Sequence, residues 1–189
     1  MIDIKEKLEI MVATHIVNVD SNPYIENKMI EDTIRSSHRA LNLENTKFTI
    51  CPDARLKKSH PILMNKYENY LNNMCSRLRL DGINVSLREE NGETLRGNWV
   101  KFIKECKRPY MLFLEHDWLF KKQINVKDIL NCFDNNQNMN YLKLPKFDLT
   151  HNFVNSLASS QNWDWIFEED YSIQEIPVSK ISFFSGNPH

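Results

Sequence analysis

Glycine is scarce. Gly82, Gly92, Gly97 and Gly186 are the only four in 189 residues, and neither a Gly-x-Gly-x-x-Gly turn nor a Gly-x-x-x-x-Gly-Lys-Ser/Thr loop can be written with them. That excludes the backbone cradles that dinucleotide-binding and P-loop proteins wrap around phosphates. Any phosphate bound here must be held by side chains and a metal. Cys51, Cys75, Cys106 and Cys132 form no Cys-x-x-Cys pair, and the six histidines form no pair at i, i+4. Reduced, mostly buried thiols are therefore expected in place of a zinc site or a redox dithiol. No apolar run approaches the roughly 20 residues that span a bilayer. The net charge of −1 gives no general attraction to nucleic acid or to acidic membranes. Met1 to Glu9 is charged and lacks the apolar core of a signal peptide, so the expected location is the cytoplasm, of a bacterium or of a virus's host.

What is present is an ordinary soluble composition, 41% apolar and 26% charged, in a length that suits one domain with a substantial core. The organising stretch is Arg108 to Phe120, an apolar run ending in two carboxylates. Tyr110 to Leu114 is short and continuously hydrophobic, which predicts a strand covered on both faces at the centre of an α/β sheet. Ligands in such sheets bind beyond the carboxyl ends of the strands, where Glu115 and Asp117 emerge. If the chain stays extended there, their i, i+2 spacing points both to one side. Like charges that close favour a proton or a cation between them, and Mg²⁺ or Mn²⁺ accepts oxygen ligands of this kind. The competing reading is two polar residues at a strand exit.

Along the chain, Leu8 to Val17 reads as a first strand with Thr14 and His15 near its end. Ser21, Asn22 and Pro23 then predict the cap of a helix over roughly Tyr24 to Leu41. Lys47 to Cys51 is a second strand, and Asp53 leaves it as a second candidate ligand contact or as a loop cap. A helix from Pro61 carries Leu63, Tyr67, Tyr70, Leu71, Met74 and Leu78 on one face, and its tyrosines read as core. Asp81-Gly82 is a turn, Ile83 to Leu87 a third strand, and Leu95, Trp99, Phe102, Ile103 and Cys106 form the apolar stripe of a third helix. This alternation predicts a mostly parallel sheet with helices on both faces. Beyond Phe120, Asn125 caps a short helix and Tyr141 to Leu144 reads as a strand. From Asp148 to Asp170 an irregular segment with Trp163 and Trp165 is expected, its Glu168-Glu169-Asp170 run read as a solvated charge cluster. Ile173 to Val178 and Ile181 to Phe184 are two closing strands.

Residues 91 to 118 resemble a segment of GT-A fold glycosyltransferases, above all family-two-like members. There a strand is followed by an asparagine and glycine, an Arg-Asn pair on a helix, and an apolar strand ending in an Asp-x-Asp type motif. The matching residues are Asn91 and Gly92, Arg96 and Asn98 with Gly97 between them, Tyr110 to Leu114, and Glu115-His116-Asp117. The first strand and the helix containing Thr33, Ile34 and Ser36 resemble the family's first βα unit, and Asp53 matches its acid after strand two. The resemblance covers about the first two-thirds of the chain. It implies a Rossmann-like GT-A fold over residues 1–189 as a single domain, with 1–120 the nucleotide-sugar-binding half and 121–189 the start of the acceptor half, which Ser185 to His189 would open.

By that resemblance Asp117 ligates Mn²⁺ or Mg²⁺ with Glu115 assisting, and Thr14, His15, Asp53, Arg96 and Asn98 line the donor site. Asp170 or Glu169 would supply the base. The implied activity is sugar transfer from a UDP- or GDP-linked donor to a glycan or glycoprotein acceptor, without nucleic acid and without a transmembrane segment. Histidine at 116 and glutamate at 115 depart from the family pattern. The alternative is a non-catalytic nucleotide- or glycan-binding module of the same fold. A phosphotransferase ranks last, for want of a phosphate-binding loop.

Overall fold

The computed structural model describes residues 3–15, 28–53, 59–88, 94–116, 118–136, 167–173 and 176–181. The chain divides into two units, Met1–Lys127 and Asp128–His189.

In the first unit a single-turn helix α1 (Ile4–Lys7), capped by the Asp3 carboxylate, feeds directly into β1 (Leu8–Thr14). Then follow α2 (Met29–Ala40), β2 (Phe48–Pro52), α3 (Pro61–Leu80), β3 (Val85–Leu87), α4 (Leu95–Glu105) and β4 (Tyr110–Glu115). All pairings are parallel and the strand order is β3-β2-β1-β4. The register sets Met11 between Thr49 and Phe113 and Ala13 between Cys51 and Glu115. Alternation sorts the side chains onto two faces. Met11, Ala13 and Cys51 pack with Phe102 of α4 on one face, where Phe113 joins them and Trp99 lies edge-on to it at 3.8 Å. On the other, the Phe48 ring meets His38 of α2 and the Thr14 hydroxyl meets Tyr67 of α3. Helices thus cover both faces, as expected of a parallel α/β sheet. Asp81-Gly82 ends α3 as expected, with Gly82 at φ +79°, a left-handed conformation that glycine adopts without strain.

Three expectations need correction. The central strand is β1, buried from Ile10 to Thr14. Among the described residues β4 has one neighbour, β1, and only its Leu114 is fully buried. Helix α2 begins at Met29, because Lys28 sits at φ 52° and cannot continue a right-handed helix; the predicted cap at Ser21 to Pro23 lies outside the described residues. Trp99 and Ile103 of α4 are substantially exposed, so the buried stripe of that helix is narrower than its apolar spacing implied.

Helices α2 and α3 are joined by charge. Glu31 of α2, nearly buried, receives Arg35 at 2.8 Å and Arg77 of α3 at 2.7 Å, and Arg35 also reaches Asp81 at 2.5 Å. Burial alone would raise the Glu31 pKa, but hydrogen bonds and charge from Arg77 and Arg35 outweigh it and hold the carboxyl below the ordinary range.

Helix α5 (Val126–Asn135) begins directly after Asn125 and carries the chain across the division. In the second unit β5 (Phe167–Ile173) and β6 (Ile176–Ile181) form an antiparallel hairpin, with Glu169 opposite Lys180 and Asp170 opposite Ser179. The acidic run is therefore strand, not irregular segment; the expected strand Ile173 to Val178 is divided, Ile173 closing β5 and β6 opening at Ile176, and β6 runs on to Ile181 past the break expected after Val178, while 182–184 lie outside the described residues. Tyr141 to Leu144, Trp163, Trp165 and Ser185 to His189 lie outside the described residues.

Candidate functional site

From β1 the chain builds outward through β2 to β3, then returns to place β4 on the other side of β1. The carboxyl ends of β1 and β4 therefore flank the point where strand order reverses, the place where open α/β sheets bind ligands. Thr14 and His15 leave β1 there, and Glu115 and His116 leave β4. The His15 and His116 rings meet edge to face, centroids 4.6 Å apart, with His116 buried and His15 half-buried. On the β2 side the Asp53 N–H donates to the Thr14 carbonyl at 2.8 Å, extending the ladder by one residue and bringing buried Asp53 beside β1's exit.

Helices fix these exits. The Tyr67 hydroxyl donates to Thr14 Oγ1, both residues fully buried. The Asn98 amide, buried on α4, donates to the Pro52 carbonyl at 2.7 Å and so holds the end of β2 from the opposite face. Helix α2 grips the chain leaving β4 at three points: Thr33 Oγ1 donates to the His116 carbonyl at 2.7 Å, Ser36 Oγ accepts from the Phe120 N–H at 3.3 Å, and the Ala40 carbonyl accepts from the Ile124 N–H at 2.8 Å. Positions 33, 36 and 40 share one helix face, so His116, Phe120 and Ile124 are held along α2.

Of the sequence-predicted residues, Thr14, His15, Asp53 and Glu115 stand at strand ends of this crevice. Asn98 is committed to the Pro52 carbonyl. Arg96 is exposed and lines an open cavity of about 530 Å³ on the outer side of α4 with Thr94, Lys101 and Lys104. Asp170 is in the second unit, on β5. Asp117, Asn91 and Gly92 lie outside the described residues. The strand ends at Glu115, and the Trp118 N–H donates to the Glu115 carbonyl at 3.4 Å. The sequence reading gave Tyr67 a core role only, noted His116 only as a departure from the family pattern, and passed over Trp118. Tyr67 has core spacing and a partner 53 positions away in sequence, which no local pattern reveals.

Glu115 is exposed, and one of its oxygens accepts from the Trp118 indole N–H at 3.2 Å. Among the described residues no three His, Cys, Asp or Glu side chains gather as a metal cluster. A hard cation of the Mg²⁺ type needs no such cage, since one or two carboxylates, waters and a substrate's phosphates complete its shell. An exposed Glu115 fits that open arrangement. Cys51, one residue before Pro52, is fully buried, and burial pushes its thiol up to about 11, only partly offset by Arg88.

The fold is therefore of the Rossmann-like α/β class, a parallel sheet with its polar residues gathered at the strand-order reversal. No family profile matches the chain, and no curated protein sequence matches it. Among solved structures, that of S. aureus TarS, a glycosyltransferase, is similar over 74% of this chain and 23% of that chain, at 18% identity and a TM-score of 0.39. A likeness of that size carries no argument about activity, and the chain spans under a quarter of that protein. Among the described residues no helix is long and apolar enough to cross a membrane.

Proposed function

We propose that this chain binds a nucleoside-diphosphate sugar, UDP- or GDP-linked, at the β1/β4 crevice and transfers the sugar to a glycan or glycoprotein acceptor. The observation that supports this most is the gathering of Thr14, His15, Asp53, Glu115 and His116 at three adjacent strand ends. In this reading Asp53 accepts hydrogen bonds from the donor's base, with Thr14 and His15 beside the nucleoside. Glu115 with Asp117 holds a Mn²⁺ or Mg²⁺ ion on the diphosphate, while Arg96, on the outer side of α4, is left out of this reading. Such an ion supplies positive charge where the leaving diphosphate gains negative charge.

A thermal-shift screen against nucleoside diphosphates and their sugars, each with and without Mn²⁺, tests the reading. A ligand at about 100 times its dissociation constant adds roughly 2.7 kcal/mol, which raises the midpoint by a few degrees. A metal-dependent shift followed by turnover of the same donor supports the transferase. Binding without turnover would favour the non-catalytic module, and no shift with any of them would sink both.

A further inference from the structure

Glu115 is an exposed side chain at a strand's end, a place where a carboxylate ordinarily samples several rotamers. Here it does not stand alone. The Trp118 indole Nε1–H donates to Glu115 Oε2 at 3.2 Å and the Trp118 main-chain N–H donates to the Glu115 carbonyl at 3.4 Å. Trp118 is half-buried, and its segment is pinned on both sides to α2, by Thr33 at His116 and by Ser36 at Phe120. The indole is thus presented by a packed helix. Donation to an ionised acceptor is among the stronger hydrogen bonds, and it fixes one carboxylate oxygen. Among the described residues the other oxygen, Oε1, makes no hydrogen bond.

We infer that Trp118 is a positioning residue whose indole N–H orients Glu115, leaving the second carboxylate oxygen to engage the bound donor or the cation on its diphosphate. This rests on the proposed function. A ring that merely packed the loop would need no N–H, and the two roles separate by chemistry. Phenylalanine keeps the ring and loses the donor, whereas histidine keeps a ring N–H donor in a smaller ring.

The test is isothermal titration of the full chain with UDP-glucose and with GDP-mannose in the presence of Mn²⁺, with the thermal midpoint of each variant as the folding control. Trp118→Phe is expected to weaken binding of the preferred donor by about tenfold, the size of one lost charge-assisted hydrogen bond. Trp118→His should stay near wild type. Glu115→Ala should weaken binding at least as much as Trp118→Phe, and the double variant Glu115→Ala/Trp118→Phe should bind no worse than Glu115→Ala alone, because the indole acts only through the carboxylate. Wild-type affinity in Trp118→Phe, equal losses in the His and Phe variants, or losses that multiply in the double variant would each overturn the inference while leaving donor binding in place. A wild-type chain that binds neither sugar nucleotide would overturn the proposed function, and this inference with it.

Discussion

Tyr67, on the second turn of α3, places its hydroxyl on the Thr14 side chain at the last residue of the central strand, and both are fully buried. The bond ties the helix that follows β2 to the end of β1, 53 residues earlier. Tyr67→Phe removes the donor from a dry site and is expected to cost about 1–2 kcal/mol of stability, read by urea unfolding. Adding Thr14→Val removes the stranded hydroxyl as well, and the double variant should recover part of the loss. Equal stability in wild type and Tyr67→Phe would show the bond contributes nothing.

Asn98 separates a brace from a contact. Its amide ends on the Pro52 carbonyl at 2.7 Å inside the protein, so Asn98→Ala leaves a buried carbonyl without that donor. A loss of about 1–2 kcal/mol is expected. Asn98→Asp should be worse, since a carboxylate would face the carbonyl oxygen. Chemical denaturation of both variants checks this. An unchanged stability with weakened nucleotide binding would return Asn98 to the donor site.

Much of this architecture was legible because burial on both faces writes itself as continuous apolar sequence. Leu8 to Val17 and Lys47 to Cys51 announce strands, and Pro61 with its stripe announces α3. Strand order is not written that way. The run Tyr110 to Leu114 reads as more central than β1, yet β1 carries neighbours on both sides and β4 has one among the described residues. The site was legible only as residues at strand exits, which placed Thr14, His15, Asp53 and Glu115 together. What fixes them was not, because Thr33, Ser36, Tyr67 and Asn98 act across gaps of 46 to 84 positions. A polar hydroxyl on an otherwise buried helix face, as at Thr33 and Ser36, was the one available signal.

The Glu31 network makes stability depend on pH in a defined direction. Its carboxyl titrates below the ordinary value of 4.5 in the folded chain, so its contribution is complete above that value and is lost as pH falls through the lowered one. Glu31→Gln should therefore be less stable than wild type at neutral pH, by about 1–2 kcal/mol given that both arginines are partly exposed and screened. The gap between the two should close as the medium is acidified below about 4.5. Thermal midpoints of both proteins across that range decide it, and a gap independent of pH would mean that Glu31 acts through packing.

Asp117→Ala and Glu115→Ala probe the proposed chemistry at unequal strength. Glu115 is exposed, and one of its oxygens already accepts from Trp118, which leaves Oε1 the less encumbered oxygen for a ligand. The resemblance to an Asp-x-Asp motif implies that Asp117 would take the larger share of the cation, and the loss of a group that stabilises charge on the leaving group costs about 10² to 10³ in turnover. Asp117→Ala is thus expected to abolish measurable donor hydrolysis and transfer with the thermal midpoint preserved, while Glu115→Ala retains a residue of activity. Nucleotide release followed by chromatography, with Mn²⁺ and then with chelator, separates the cases. If chelation silences the wild type and Mn²⁺ restores it, the remaining activity of Glu115→Ala should require more Mn²⁺, because a site with one carboxylate fewer holds the ion less tightly. Full turnover by Asp117→Ala would remove that carboxylate from the mechanism and leave the β1/β4 crevice as a binding site whose chemistry lies in other residues.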